Sequence, residues 1–127
     1  GAARAGRLTA EPSGRQALGD HGEALAARWY TERDYEVVAR KWRIAAGEID
    51  LVLRRGRELV FCEVKTRSSD RFGTPAEAVT PAKQRRIRRL AAAYLSGLDS
   101  PPRSSCVVRF DVACVSGREV EVIEQAF

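Results

Sequence analysis

One stretch, GEIDLVLRRGRELVFCEVKTR at residues 47–67, most restricts what this chain can fold into. Its apolar residues recur in strand-like patterns interrupted near the middle by a Gly, which predicts two strands joined by a tight turn at Arg55-Gly56. Alternate residues of a strand share a face. Leu59, Phe61, Glu63 and Lys65 are therefore expected on one side of the second strand, and Val60, Cys62 and Val64 on the other. In the first strand Glu48, Asp50 and Val52 are expected to share a face, with Ile49, Leu51 and Leu53 opposite. Pairing the two as a hairpin brings Asp50 beside Glu63 and Lys65.

An Asp followed, after 12 intervening residues, by Glu-Val-Lys supplies two hard oxygen ligands and one cation around a single point. Magnesium takes one or two carboxylates and fills its remaining positions with water and phosphate oxygens, so the pattern suits that ion and a phosphate. A lysine within reach can hold the attacking water. The same spacing also fits a solvated strand end on which Glu63 and Lys65 form an ordinary ion pair.

A chain of 127 residues has room for one domain with a real core, and 44% hydrophobic with 31% charged residues is not a disordered composition. No apolar run approaches a membrane span, and the basic start has no secretory apolar segment, so a cytoplasmic protein is expected, with no membrane partner. Cys62, Cys106 and Cys114 show no CxxC spacing and fall in apolar strand patterns, where they read as small buried hydrophobes. With His21 as the only histidine, a zinc site is not expected.

The net charge of +5 is localised. Of 22 basic residues, five (Lys83, Arg85, Arg86, Arg88 and Arg89) lie in one helical segment without an acidic neighbour, and the other 17 balance the 17 acidic residues. Such a stripe points to a polyanionic partner, above all nucleic acid, although a solvated helix face has the same composition. Thr80 as N-cap, Pro81 at the first position and Gly97 at the end set this helix at 81–96. Lys83, Ile87, Leu90, Ala91 and Tyr94 form its inward stripe, and Arg85, Arg88 and Arg89 point outward. Lys83, with Gln84 beside it, can run along the sheet toward the acidic strands or snorkel to water.

Before the hairpin, Ser13 and Gln16 offer a capping box for a helix at about 14–33 that follows a flexible arm at 1–13. Leu18, Gly22, Leu25 and Trp29 are expected as its buried stripe. Glu23 shares another face with Gly19, Ala26 and Tyr30, whose small members allow close approach, but an off-stripe Glu is by default exposed. Residues 35–44 read as a strand that carries Arg40, Lys41 and Arg43 near its end. A long polar segment after Lys65 offers Arg67 and Arg71 to phosphates. Two closing strands, 107–115 and 119–127, meet across Ser116-Gly117. Helix, three strands, helix, two strands is an α/β order that favours a mixed sheet flanked by helices, with a parallel strand pair bridged by the basic helix.

Gly22-Glu23, GEID at 47–50, Glu63-Val64-Lys65, and RFD at 109–111 with a terminal Ala-Phe together resemble the YraN-like family of small bacterial proteins. That family is similar to the restriction-endonuclease-like superfamily, with archaeal Holliday-junction resolvases as characterised relatives. The likeness covers residues 14–127 and implies a single domain with an αβββαββ core. It implies that Asp50 and Glu63 hold Mg2+ or Mn2+, that Lys65 is the catalytic lysine, and that Glu23 matches the helix carboxylate of the resolvases. Where the superfamily has a Pro before the Asp, this chain has Ile49. The residues expected to meet nucleic acid are Arg43, Arg67, Lys83, Gln84, Arg85, Arg88 and Arg89, and a homodimer lies within the resemblance.

The reading is an endonuclease acting on DNA, branched DNA in particular. Lys65 is expected to be cationic and to orient water, since two carboxylates beside it raise its pKa while a bound metal lowers it. Two other classes share these features: a catalytically silent nucleic-acid-binding module, which needs only the basic helix, and a protein-interaction scaffold, which needs neither.

Overall fold

The computed structural model describes residues 14–67, 79–98 and 106–127, so the expected arm at 1–13 and Arg71 lie outside the described residues. In chain order the elements are α1 (Gly14–Thr31), β1 (Glu36–Ile44), β2 (Gly47–Arg55), β3 (Glu58–Arg67), α2 (Pro81–Ser96), β4 (Val107–Ser116) and β5 (Glu119–Ile123). The strands form one sheet in the order β1-β2-β3-β4-β5. Neighbours are antiparallel except β3 and β4, which run parallel in unbroken register from Glu58↔Val107 to Arg67↔Ser116. This is the expected mixed α/β sheet with an αβββαββ order, and α2 lies on the connection between the parallel strands. No helix among the described residues is long and apolar enough to cross a membrane.

Period-two alternation along β3 divides the core into two layers. Val60 and Cys62 pack with Ala26, Ala27 and Tyr30 of α1 on one face. Leu59 and Phe61 pack with Ile87, Leu90 and Ala91 of α2 on the other. The α2 boundaries follow the sequence signals: Thr80 accepts from the Lys83 N–H, Pro81 opens the helix and Gly97 caps it. The cysteines are all free thiols, with Cys62 buried as expected but Cys106 and Cys114 only partly so.

Four expectations need correction. The hairpin turns centre one residue later, on Gly56-Arg57 and Gly117-Arg118, because the glycines supply the positive φ of +59° and +62°. The last strand stops at Ile123, since Gln125 turns at φ +54° and its N–H is drawn to Asp111. The buried face of α1 is not the stripe through Leu25 and Trp29, which are only partly buried, but the one through Gly22, Glu23, Ala26, Ala27 and Tyr30. Small residues win that face because the helix backbone lies close to the sheet, and Tyr30 reaches through to donate to buried Asp111 at 2.6 Å. Finally, β2 does not alternate throughout: Leu51 and Leu53 face α1, whereas Ile49 joins Val52 on the α2 face. The reversal falls at Asp50, opposite Lys41 of β1, which sits at φ +49°.

The close approach of α1 to β3 is tightest at Gly22. A Cβ there would overlap Thr66 Oγ1 and come within 3.2 Å of Thr66 Cβ. Gly22→Ala is therefore expected to cost about 1–3 kcal/mol in urea unfolding. In a Thr66→Ala background the same change should be much milder, because the overlap is gone and Ala favours a helix over Gly by about 1 kcal/mol. Equal costs in both backgrounds would refute the contact.

Candidate functional site

β2 and β3 are paired from Arg55↔Glu58 up to Leu51↔Cys62, and there the ladder ends. At the next rung, occupied by Asp50 and Glu63, the Val64 N–H donates to Asp50 Oδ2 at 2.7 Å. A side-chain carboxylate thus stands in the gap where a backbone carbonyl would otherwise accept. Burial pushes the Asp50 pKa up to about 7, the negative charges of Glu63, Glu48 and Glu23 add to the rise, and the Val64 N–H opposes it.

On the α2 face Glu63 Oε2 lies 3.0 Å from Lys83 Nζ and 3.5 Å from Lys65 Nζ. Lys83 does run along the sheet to the acidic strands, from the first turn of α2. The Lys65 pKa is lowered, first by burial and then by the neighbouring Lys83, although Glu63 opposes both. The carboxylate thus raises it as expected, but burial and then Lys83 outweigh that effect. At Lys83 burial also works against the charge, but Lys65 and Glu63 outweigh it and the pKa is raised.

On the α1 face Glu23 is buried, not exposed, with only 8% of its surface accessible. Its Oε2 is 3.1 Å from Lys41 Nζ, which also meets Asp20 Oδ1 at 2.8 Å. Those hydrogen bonds hold the Lys41 pKa up, Asp20 contributing most. Gly19, Asp20, Glu23, Lys41, Glu48, Asp50, Val64 and Thr66 line one cavity of about 230 Å³. Asp20, Lys41, Glu48 and Thr66 are not among the site residues expected from the sequence. The signal available was register: a β1–β2 turn at Ala45-Ala46 sets Lys41 opposite Asp50.

Asp50, Glu63, Lys65 and Glu23 therefore gather around the gap, with Lys83 joining them. The other expected nucleic-acid contacts are dispersed. Arg43 is exposed and paired with Glu48 at 2.8 Å. The Gln84 amide donates to the Val79 carbonyl at 3.1 Å, so part of its capacity is used locally. Arg88 lies over the rings of Phe110 and Phe127, at 4.8 and 5.4 Å. Arg85 and Arg89 are exposed and form no ion pair among the described residues. Arg67 ends β3, and its side chain lies outside the described residues.

A divalent metal fits the donor set. Asp50 Oδ1 has no protein donor among the described residues, since the Val64 amide uses Oδ2. Both lysines make their closest approach to Glu63 at Oε2. Two hard carboxylate oxygens without thiolate or imidazole suit Mg2+ or Mn2+. Among the described residues no group of three or more Asp, Glu, His or Cys is arranged to hold a metal, so such an ion would take its remaining ligands from water and substrate.

Residues 22–115, which include every one of these groups except Gly19 and Asp20 at the α1 end and Phe127, match the model of a family described as "Uncharacterised protein family UPF0102". Relatives include UPF0102 proteins of Nocardia farcinica, 49% identical over 108 residues (85% of this chain, 83% of that protein), and of Roseiflexus castenholzii, 50% identical over 102 residues (80% and 81%). Another, from Symbiobacterium thermophilum, is 53% identical over 95 residues (75% and 78%). The chain belongs to the UPF0102 family, the YraN-like family to which its motifs pointed.

The raised Asp50 pKa has a stability consequence with a defined sign. The folded protein holds this proton up to about pH 7, whereas an unfolded Asp releases it near pH 4. The folded state therefore binds more protons across that window, and the contribution of Asp50 to stability is lost as pH rises from about 4 to 7. Asp50→Asn, whose carbonyl can still accept from Val64, should remove this loss. In chelator it should leave stability at pH 4 nearly unchanged and raise it at pH 8 by on the order of 1–4 kcal/mol. Urea melts of both proteins at the two pH values check this, and equal slopes with pH would refute it.

Proposed function

We propose that this member of the UPF0102 family is a metal-dependent endonuclease of the restriction-endonuclease-like superfamily, cleaving phosphodiesters in DNA, with branched DNA as the favoured substrate. One observation carries the reading: Asp50 stands in the gap between β2 and β3 beside Glu63, and Lys65 and Lys83 converge on that Glu from two elements. A surface ion pair requires no split ladder and no second lysine. The exposed Arg85 and Arg89 on the helix that delivers Lys83 supply positive charge for a nucleic-acid backbone beside the same residues.

Asp50 and Glu63 would hold Mg2+ or Mn2+, which when bound supplies Lewis-acid charge at the phosphoryl oxygens. Lys65, with its proton loosened by burial and by Lys83, is suited to hold and orient the attacking water. Lys83 keeps the Glu63 carboxylate in place and adds positive charge where the transition state gains negative charge. Glu23, tied to Lys41, shapes the α1 side of the cavity. The occupation of Glu63 Oε2 by two lysines also favours a second reading, a DNA-binding module without catalysis.

Incubation of purified protein with linear, flapped and four-way DNA, with manganese or chelator, separates the two. Cleavage should require the metal and leave a 5′ phosphate. Asp50→Asn should abolish it, and Lys65→Ala should lower it by about 100-fold or more. Undiminished cutting by Asp50→Asn would refute the assignment, and tight binding without any cutting would select the second reading.

Binding gives an independent measurement. Affinity for duplex DNA falls with log salt, and each lost phosphate contact flattens the slope by about 0.9. Replacing Arg85, Arg88 and Arg89 by Glu should weaken binding to all sequences and flatten that slope. An unchanged slope would make the basic helix a solvated face.

A further inference from the structure

Lys41 stands out on the α1 side of the gap. Its backbone lies in the left-handed region, at φ +49°, a conformation that is strained for an L-residue. Strain of this kind persists where the surroundings enforce it and clusters at functional positions. Unbroken alternation from Ala39, which packs on the α2 face, would send Lys41 to that same face and Trp42 to the other. Instead Trp42 packs in the α2-side core, and Lys41 crosses to α1.

There its ammonium bridges two carboxylates, Asp20 Oδ1 at 2.8 Å and Glu23 Oε2 at 3.1 Å, in the cavity shared with Asp50 and Glu48. A divalent ion joining Asp20 to Glu23 would have to take the position that this ammonium fills. Glu23 is buried, and Lys41 supplies its ion pair, so the lysine also fixes where that carboxylate sits.

We propose that Lys41 is a positioning residue that acts as a tethered cation: it occupies the Asp20–Glu23 pair and limits the site to a single divalent ion, held by Asp50 and Glu63. The inference rests on the metal-dependent reading above and adds its stoichiometry. Removing the ammonium leaves Asp20 and Glu23 with unbalanced charge facing Glu48 and Asp50, which a second divalent ion relieves.

Manganese titration of the purified chain, with free ion counted by electron paramagnetic resonance, tests this without DNA. Wild type and Lys41→Arg should bind one ion per chain, and Lys41→Gln and Lys41→Gly should bind two. The Gly variant suits the left-handed backbone and keeps the measurement available if the Gln variant folds poorly. Adding Asp20→Asn to Lys41→Gln should return the count to one. Two ions in wild type, or one in both the Gln and Gly variants, overturn the role of Lys41 and leave the metal-dependent reading intact. No ion in wild type overturns the metal site itself and this inference with it.

Discussion

The hydrogen bond from the Val64 amide to Asp50 Oδ2 is the interaction around which the site is arranged. Pairing between β2 and β3 ends at Leu51↔Cys62, and the next amides would face an open gap in the middle of the sheet. A buried N–H without an acceptor costs about 1–3 kcal/mol. The carboxylate satisfies it, and in exchange is held in a partly buried place where its own charge is unfavourable. The bond thus closes the sheet and fixes the acidic group, and it explains why β2 reverses its facing at this residue while β3, through Glu63, does not.

Because Asp50 lies where the strands separate, both helices can supply groups to it. Each supplies one member of a lysine–carboxylate pair whose other member comes from a strand: Glu23 of α1 with Lys41 of β1, and Lys83 of α2 with Glu63 of β3. The second pair runs against local preference, since a lysine in the first turn of a helix opposes the macrodipole by about 0.3–1 kcal/mol. Glu63 offsets that cost, and the lysine joins the basic helix to the acidic strand. Departures from local rule that are compensated across elements are expected at working sites.

Much of this was legible in the chain itself. Thr80, Pro81 and Gly97 set α2 within its observed bounds, and period-two patterning placed Glu63 and Lys65 on one face of β3. The α1 face was not legible, because hydrophobicity favoured Leu25 and Trp29, whereas close packing on the sheet selected Gly22, Ala26 and the reach of Tyr30 to Asp111. That rotation is what buries Glu23. Lys41 was missed for a different reason: its direction depends on a positive φ at an ordinary residue, which no periodicity encodes.

The sheet also contains a fully buried aspartate, and the contrast bears on how Asp50 should be read. Asp111 is fully buried, yet it accepts from Tyr30 Oη at 2.6 Å, from two Arg109 nitrogens at 2.9 and 3.0 Å, and from the Gln125 N–H at 3.0 Å. A carboxylate so supplied is structural: it ties α1, β4 and the segment after β5 together and leaves little capacity for anything else. Asp50 has one protein donor among the described residues, and its neighbours Glu63, Glu48 and Glu23 are of its own sign. Asp50 is only partly buried where Asp111 is fully so, and depth of burial therefore does not mark the site. The distinguishing property is the shortage of compensating positive charge at Asp50, a shortage that folding leaves in place and that a cation from outside the chain can relieve.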